Sequence, residues 1–223
     1  MVELAQNKYI FDCKTCKTTC DGVSRGTYLF QNDVEYSEFF ENKIIDLINS
    51  KTGKKAKKTE RAGYPDIEVF DEKENVICLI EVKVQRRTFM AVERILPSGN
   101  LKPSETIALN LSDLVRYFEI DNKEENIPVF LIWVLSNRPC IINERGCDFI
   151  IEEIPHLLFF QNIKKLKEIY EIYGDNRRFR RRSGQGDVVE GVHRGVVVNY
   201  HFSLSELNPK INELLEKIKN GFN

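Results

Sequence analysis

Asp66, Glu81 and Lys83 are the residues whose types and spacing point most directly to chemistry in this chain. They lie in the stretch Tyr64 to Gln85, YPDIEVFDEKENVICLIEVKVQ, which reads as a β-hairpin. Ile67 and Val69 alternate with polar neighbours, Asp71 to Asn75 form a polar turn, and Val76 to Ile80 make an apolar run suited to a buried strand. A turn midway between Asp66 and Glu81 sets the two opposite each other in an antiparallel pair, with Cβ atoms about 5 Å apart. Glu81 and Lys83 then share a face, while Ile80, Val82 and Val84 point into a core. Two carboxylates held that close repel unless a cation lies between them, and all-oxygen ligation selects a hard ion such as Mg²⁺. An ammonium beside them suits chemistry on an anion.

Pro65-Asp66, fourteen intervening residues, then Glu81-Val82-Lys83 resembles the signature of the PD-(D/E)XK nuclease superfamily. The resemblance covers the motif and the helix before it. It implies an α/β fold, a mixed β-sheet core flanked by helices. Asp66, Glu81 and the Val82 carbonyl would hold Mg²⁺ or Mn²⁺, and Lys83 would position or activate the attacking water. Nucleases of this kind commonly draw a further glutamate from the helix ahead of the motif; Glu41 is favoured here, with Glu38 in reserve. Gln85 continues the period of Glu81 and Lys83 and resembles the E-x-K-x-Q variant, in which it would orient water or a phosphate. The plainer reading is a surface hairpin with Glu and Lys alternating in solvent. The apolar run weighs against it, because buried charges rarely persist without a role.

The elements that must position these groups follow from periodicity. From Asp33 to Asn49, Tyr36, Phe40, Ile44, Ile45 and Ile48 recur every three or four residues, which predicts an amphipathic helix capped by Asp33. Lys51 to Arg61 reads as a lysine-rich loop after a helix stop at Gly53. An irregular stretch runs from Arg86 to Thr106, Ser112 caps a helix to Ile120, and Ile127 to Leu135 is a central, doubly covered strand. Phe149 to Ile151 is a further strand, and Ile154 to Tyr173 reads as one long helix. Past Gly174, strands Val188 to Val192 and Val196 to Phe202 form a hairpin around His193-Arg194-Gly195, and Ser205 caps a closing helix. The chain thus reads as a single domain, 33–173 its catalytic core and 174–223 a DNA-recognition hairpin with a closing helix.

At 223 residues, 42% apolar and 30% charged, the chain can bury one substantial core. No run of about 18 apolar residues occurs and the N-terminus lacks the order of a signal peptide, so the cytoplasm is the expected location. A net charge of −1 argues against a uniformly basic coat, but the cations are segregated. One cluster contains Lys55 and Lys58; Arg86 and Arg87 follow the motif; a third comprises Arg177, Arg178, Arg180, Arg181 and Arg182. With His193, Arg194, Asn199 and His201, these are the expected contacts to double-stranded DNA. Cys13, Cys16 and Cys20 have spacing that could supply three ligands of a structural zinc, though a fourth is missing nearby and reduced thiols are the commoner case. The resulting expectation is a Mg²⁺-dependent endodeoxyribonuclease, most like a type II restriction endonuclease and acting as a homodimer. The alternatives are a structure-selective repair or recombination nuclease and a non-catalytic DNA- or protein-binding module.

Overall fold

The computed structural model describes residues 30–85, 88–89, 91–124, 127–136, 138, 141–142, 146–151, 153–180, 188–189, 192–193 and 198–222, with side chains from residue 35 onward except at 188–189 and 192–193. Helix α1 (Phe30–Thr52) opens this part of the chain. It forms because Phe40, Ile44 and Ile48 repeat every four residues, and all three are buried. It stops where Gly53 turns to φ +70°. The helix begins three residues before Asp33, which is therefore inside it rather than its cap.

Strands β1 (Lys55–Lys58), β2 (Ile67–Phe70) and β3 (Val76–Gln85) follow as an antiparallel meander. The expected lysine-rich loop thus contains an edge strand, Lys55–Lys58, and its first two residues end α1. A half-exposed edge tolerates lysine, whose charge stays in water and discourages pairing with another chain. The chain then passes through α2 (Val92–Ile95), β4 (Thr106–Asn110) and α3 (Leu111–Lys123), and returns as β5 (Val129–Ser136) parallel to β3. Asn110, not Ser112, stands at the N-cap of α3. Strands β6 (Phe149–Ile151) and β7 (Ile154–Asn162) complete the main sheet, whose order among the described residues is β1-β2-β3-β5-β7-β6.

Residues 154–173 are not one helix: α4 spans only Ile163–Tyr173, and Asn162 caps it by accepting the Lys164 N–H at 2.8 Å. Strand β7 is covered on both faces, so Leu157 to Phe160 are all buried and the run carries no alternation to mark it as a strand. Cys78, Ile80, Val82, Phe130, Ile132, Val134, Leu158 and Phe160 face α1 and the last helix, α5 (Ile211–Asn220). Leu79, Leu131, Trp133, Leu135, Leu157 and Phe159 face α3, α4 and a second sheet.

That second sheet corrects the expected recognition hairpin. Strand β8 (Arg178–Arg180) and β11 (Val198–Ser203) join β4 in the order β4-β11-β8, while β9 (Val188–Val189) pairs with β10 (Val192–His193). Tyr200 and Phe202 of β11 are fully buried, and α5 packs on α1 and β7. Strands β8 and β11 and helix α5 are therefore built into the core, not appended to residues 33–173. Ser203, with Glu206, forms a capping box on a 3-10 turn at Leu204–Glu206, so Ser205 caps no helix. No helix among the described residues is long and apolar enough to cross a membrane.

Candidate active site

Ile67 lies opposite Ile80, which puts Asp66 next in line with Glu81 as the spacing predicts. The register shift between Val69 and Phe70 is absorbed beside the turn, so the far end of the hairpin stays in frame. There the Asp66 carboxylate takes over from the β2 backbone: Val82 N–H donates to its Oδ2 at 2.8 Å. Glu81 is 2% exposed, and the Lys83 ammonium rests against its Oε1.

Dehydration, then the charge of Glu81, pushes the Asp66 carboxyl up to about 7; Glu41 adds to the rise, while the Val82 N–H and Lys83 oppose it. Burial would lower the Lys83 ammonium, but Glu81 and Asp66 outweigh it and hold the pKa above the ordinary value. Lys83 is therefore a cation at neutral pH. It can orient a water and balance an anion, but it has no lone pair with which to take a proton.

Helix α1 delivers Glu41 to the same end of the sheet, where Lys58 Nζ lies 3.0 Å from its Oε2. Glu38 is exposed. The loop carrying Asp66 is strapped down by Arg61, which donates to Glu68 at 2.8 Å and Glu124 at 3.1 Å and stacks on Tyr64, 3.8 Å from the ring centre. Tyr64 donates to the same Glu124 oxygen at 3.1 Å. Sequence reasoning missed the contribution of α3. Tyr117 and Arg116 lie within electrostatic reach of Glu81, and Asp113 within reach of Lys83. These three stand at i, i+3 and i+4, a spacing legible as one polar helix face.

Other expected site residues are used differently. The carboxamide of Gln85 is committed to β4: its nitrogen donates to the Thr106 carbonyl and its oxygen accepts the Ala108 N–H, both at 3.0 Å. It ties the two sheets together instead of orienting water. Arg177 is fully buried, with Nε donating to the Gly99 carbonyl and Nη1 to Glu206, both at 2.7 Å, so it does not reach DNA. His201 is 2% exposed, its Nδ1 3.2 Å from the Arg177 carbonyl and its ring against Phe89, and it reads no base. In sequence both look like recognition residues, because the polar residues of a buried strand and its neighbouring turn carry the same side chains.

Lys55 pairs with Glu74 at the far end of β1, about 10 Å of strand from Lys58. Asn199 is half-buried within β11, between Asn110 and Phe179. Arg178, paired with Asp175, and Arg180 are exposed on β8. His156 is buried scaffold, its Nε2 3.1 Å from the Tyr36 hydroxyl. Arg86, Arg87, Arg181, Arg182, Arg194 and the three cysteines Cys13, Cys16 and Cys20 lie outside the described residues, as does the side chain of His193.

Among the described residues, no three His, Cys, Asp or Glu side chains converge as a metal-binding group. Two carboxylates nonetheless suit Mg²⁺, which keeps several waters and needs only one or two such ligands. A cation between Asp66 and Glu81 would offset both the dehydration that chiefly raises the Asp66 carboxyl and the repulsion from Glu81 that adds to it. In comparisons with known proteins, the chain matches no family model and no curated protein.

The Asp66 shift sets a stability prediction for the metal-free protein. Its folded-state pKa is raised, so the unfolded chain ionises first as pH increases. Stability should therefore fall between about pH 4 and 7, by at most about 4 kcal/mol at 1.36 per unit. Asp66→Asn removes this ionisation. In urea melts with EDTA the variant should be the more stable protein at pH 8, and the advantage should vanish by pH 4. Parallel pH profiles for the two proteins would refute the electrostatic account of the pair.

Proposed function

We propose that this protein is a divalent-metal-dependent endonuclease of the PD-(D/E)XK kind that hydrolyses phosphodiester bonds in double-stranded DNA. The observation that carries the reading is the juxtaposition of Asp66 and Glu81 across β2 and β3, with the Lys83 ammonium against Glu81. Helix α1 ahead of the three-strand meander, and α3 leading into β5 parallel to β3, also support it. Asp66, Glu81 and the Val82 carbonyl would hold Mg²⁺ or Mn²⁺. Bound there, the ion would polarise the scissile phosphate and acidify a water.

The chain's own groups do the rest. Lys83, protonated, orients the attacking water and offsets charge as the phosphate becomes more negative in the transition state. Glu41 and Lys58 flank Asp66 and set the local field. With Asp66 ionised, Asp66, Glu81, Glu41 and Asp113 face Lys58, Lys83 and Arg116 among the described residues, which leaves one net negative charge. A divalent cation reverses that sign. The site then attracts a phosphate that it would otherwise repel.

Cutting both strands is the natural task of a homodimer, and site-specific restriction is the form of the activity we favour. The direct test is purified protein with plasmid DNA in Mg²⁺, in Mn²⁺ and in EDTA. Discrete fragments with metal alone support the restriction reading, and a smear supports a less selective nuclease. No cleavage under any divalent metal would replace both with the binding-module reading.

Arg180 is the testable part of the expected DNA interface. Each cation that neutralises a phosphate contributes about 0.9 to the slope of log affinity against log salt. Arg180→Ala should lower the measured slope by roughly that amount in filter-binding or anisotropy titrations; an unchanged slope removes β8 from the interface.

A further inference from the structure

We propose that Lys58 is a built-in cation that occupies the Glu41 end of the acid cluster and so limits the site to one divalent ion. The inference rests on the metal-dependent reading above. Lys58 Nζ lies 3.0 Å from Glu41 Oε2, the lysine side chain 41% exposed and the glutamate 15%. Side chains alternate along β1, so Lys58 shares a face with Ala56, which is buried in one cluster with Phe40, Ile44 and Ile48 of α1. Asn49 fastens the strand to that helix: its Oδ1 accepts the Ala56 N–H at 2.6 Å and its Nδ2 donates to the Ala56 carbonyl at 3.4 Å. Just past Lys58, the Thr59 N–H donates to the Asp66 carbonyl at 2.9 Å. Lys58 is thus held between the helix that carries Glu41 and the strand end that carries Asp66. The other cations of β1 are engaged elsewhere, Lys55 with Glu74 and Lys57 over the Phe70 ring.

Two-ion catalysis of phosphate chemistry needs acid ligands for both ions. Asp66 and Glu81 suffice for one. Glu41 is a third carboxylate within reach of Asp66, and a second ion would depend on it. Its oxygen already holds the Lys58 ammonium. Tethered by the chain, that ammonium competes at the effective concentration of an intramolecular partner, on the order of millimolar or above. A second dication would also approach a like charge beside a largely buried carboxylate, where water screens poorly. The plainer reading is an ion pair that serves the fold alone, although partly exposed pairs add little stability. The two readings differ in the number of ions bound.

The test counts Mn²⁺ bound per chain by equilibrium dialysis of the DNA-free protein, with a thermal melt alongside. The parent should bind one ion, Lys58→Met two, and Lys58→Met combined with Glu41→Gln one again. Lys57→Met removes a cation from the opposite face of the same strand and should stay at one. Two ions in the parent, one in folded Lys58→Met, or two in Lys57→Met or in the double variant overturns the inference and leaves the metal reading standing. No ion bound by the parent overturns the metal reading and this inference together. If Lys58→Met folds poorly, Lys58→Gln carries the same count with a polar side chain on the exposed edge.

Discussion

Mg²⁺-dependent cleavage is expected to disappear in Asp66→Asn and to fall by the order of 10² or more in Lys83→Ala, for different reasons. Asparagine at 66 removes one of the two anionic ligands and weakens the site's hold on a dication. Alanine at 83 leaves both carboxylates and deletes the cation that faces the phosphate, so metal binding should persist while turnover collapses. DNA binding separates the two further. Without metal, Asp66 opposes a phosphate only when ionised, and its carboxyl is raised to about 7. Asp66→Asn should therefore bind DNA in EDTA more tightly than the parent at pH 8, with little difference at pH 6. Lys83→Ala should bind more weakly at both. Parent-like cleavage rates in either variant, with excess Mg²⁺ on a DNA that the parent cuts, would sink the proposed roles.

The largest expected loss of stability lies at Arg177, far from this chemistry in role. Its guanidinium stacks 3.3 Å from the Tyr173 ring centre, and it bonds Glu206 and the Gly99 carbonyl in a fully buried setting. Glu206 also accepts the Ser203 N–H at 2.9 Å, so the pair fastens the 3-10 turn after β11 to the loop before β4. Arg177→Ala strands a buried carboxylate and opens a void, a change that costs about 3–5 kcal/mol. For a domain of this length that corresponds to a Tm lower by roughly 10 °C. Arg177→Met fills most of the void but leaves Glu206 unpaired. Adding Glu206→Gln to it should recover part of the loss, because the stranded charge is then gone. A Tm within 2 °C or so of the parent for Arg177→Ala would show that the ion pair contributes little.

The hairpin was legible because its information is local. Alternation in Ile67 and Val69, a polar turn, and an apolar run of known length specify pairing and register, and register alone sets Asp66 against Glu81. The helix before it and strand β5 were equally plain, each carrying an unbroken pattern over several turns or residues. Glu41 stands out in sequence beside the core stripe of α1, with Ile44 and Ile48 following it, and the fold brings it next to Lys58 and within electrostatic reach of Asp66.

What failed depended on partners distant in sequence. Residues Leu157 to Phe160 are buried on both faces, so hydrophobicity could not distinguish strand from helix; the neighbours β5 and β6 decided it. Strand β4 is short and lies where loop residues surround it, and only β11, about ninety residues later, gives it a sheet. Arg177 and His201 carry side chains that usually meet solvent or nucleic acid. Their burial follows from Glu206, Tyr173 and Phe89 arriving from separate segments. Composition cannot report such pairing, because a charge goes inside only where the tertiary structure supplies its counter-charge. The sequence by itself determined the acid pair, its lysine and the strands that oppose them. Tertiary structure alone decided which cations remain on the surface, that Gln85 joins two sheets, and that α3 brings Asp113, Arg116 and Tyr117 within electrostatic reach of Glu81 and Lys83.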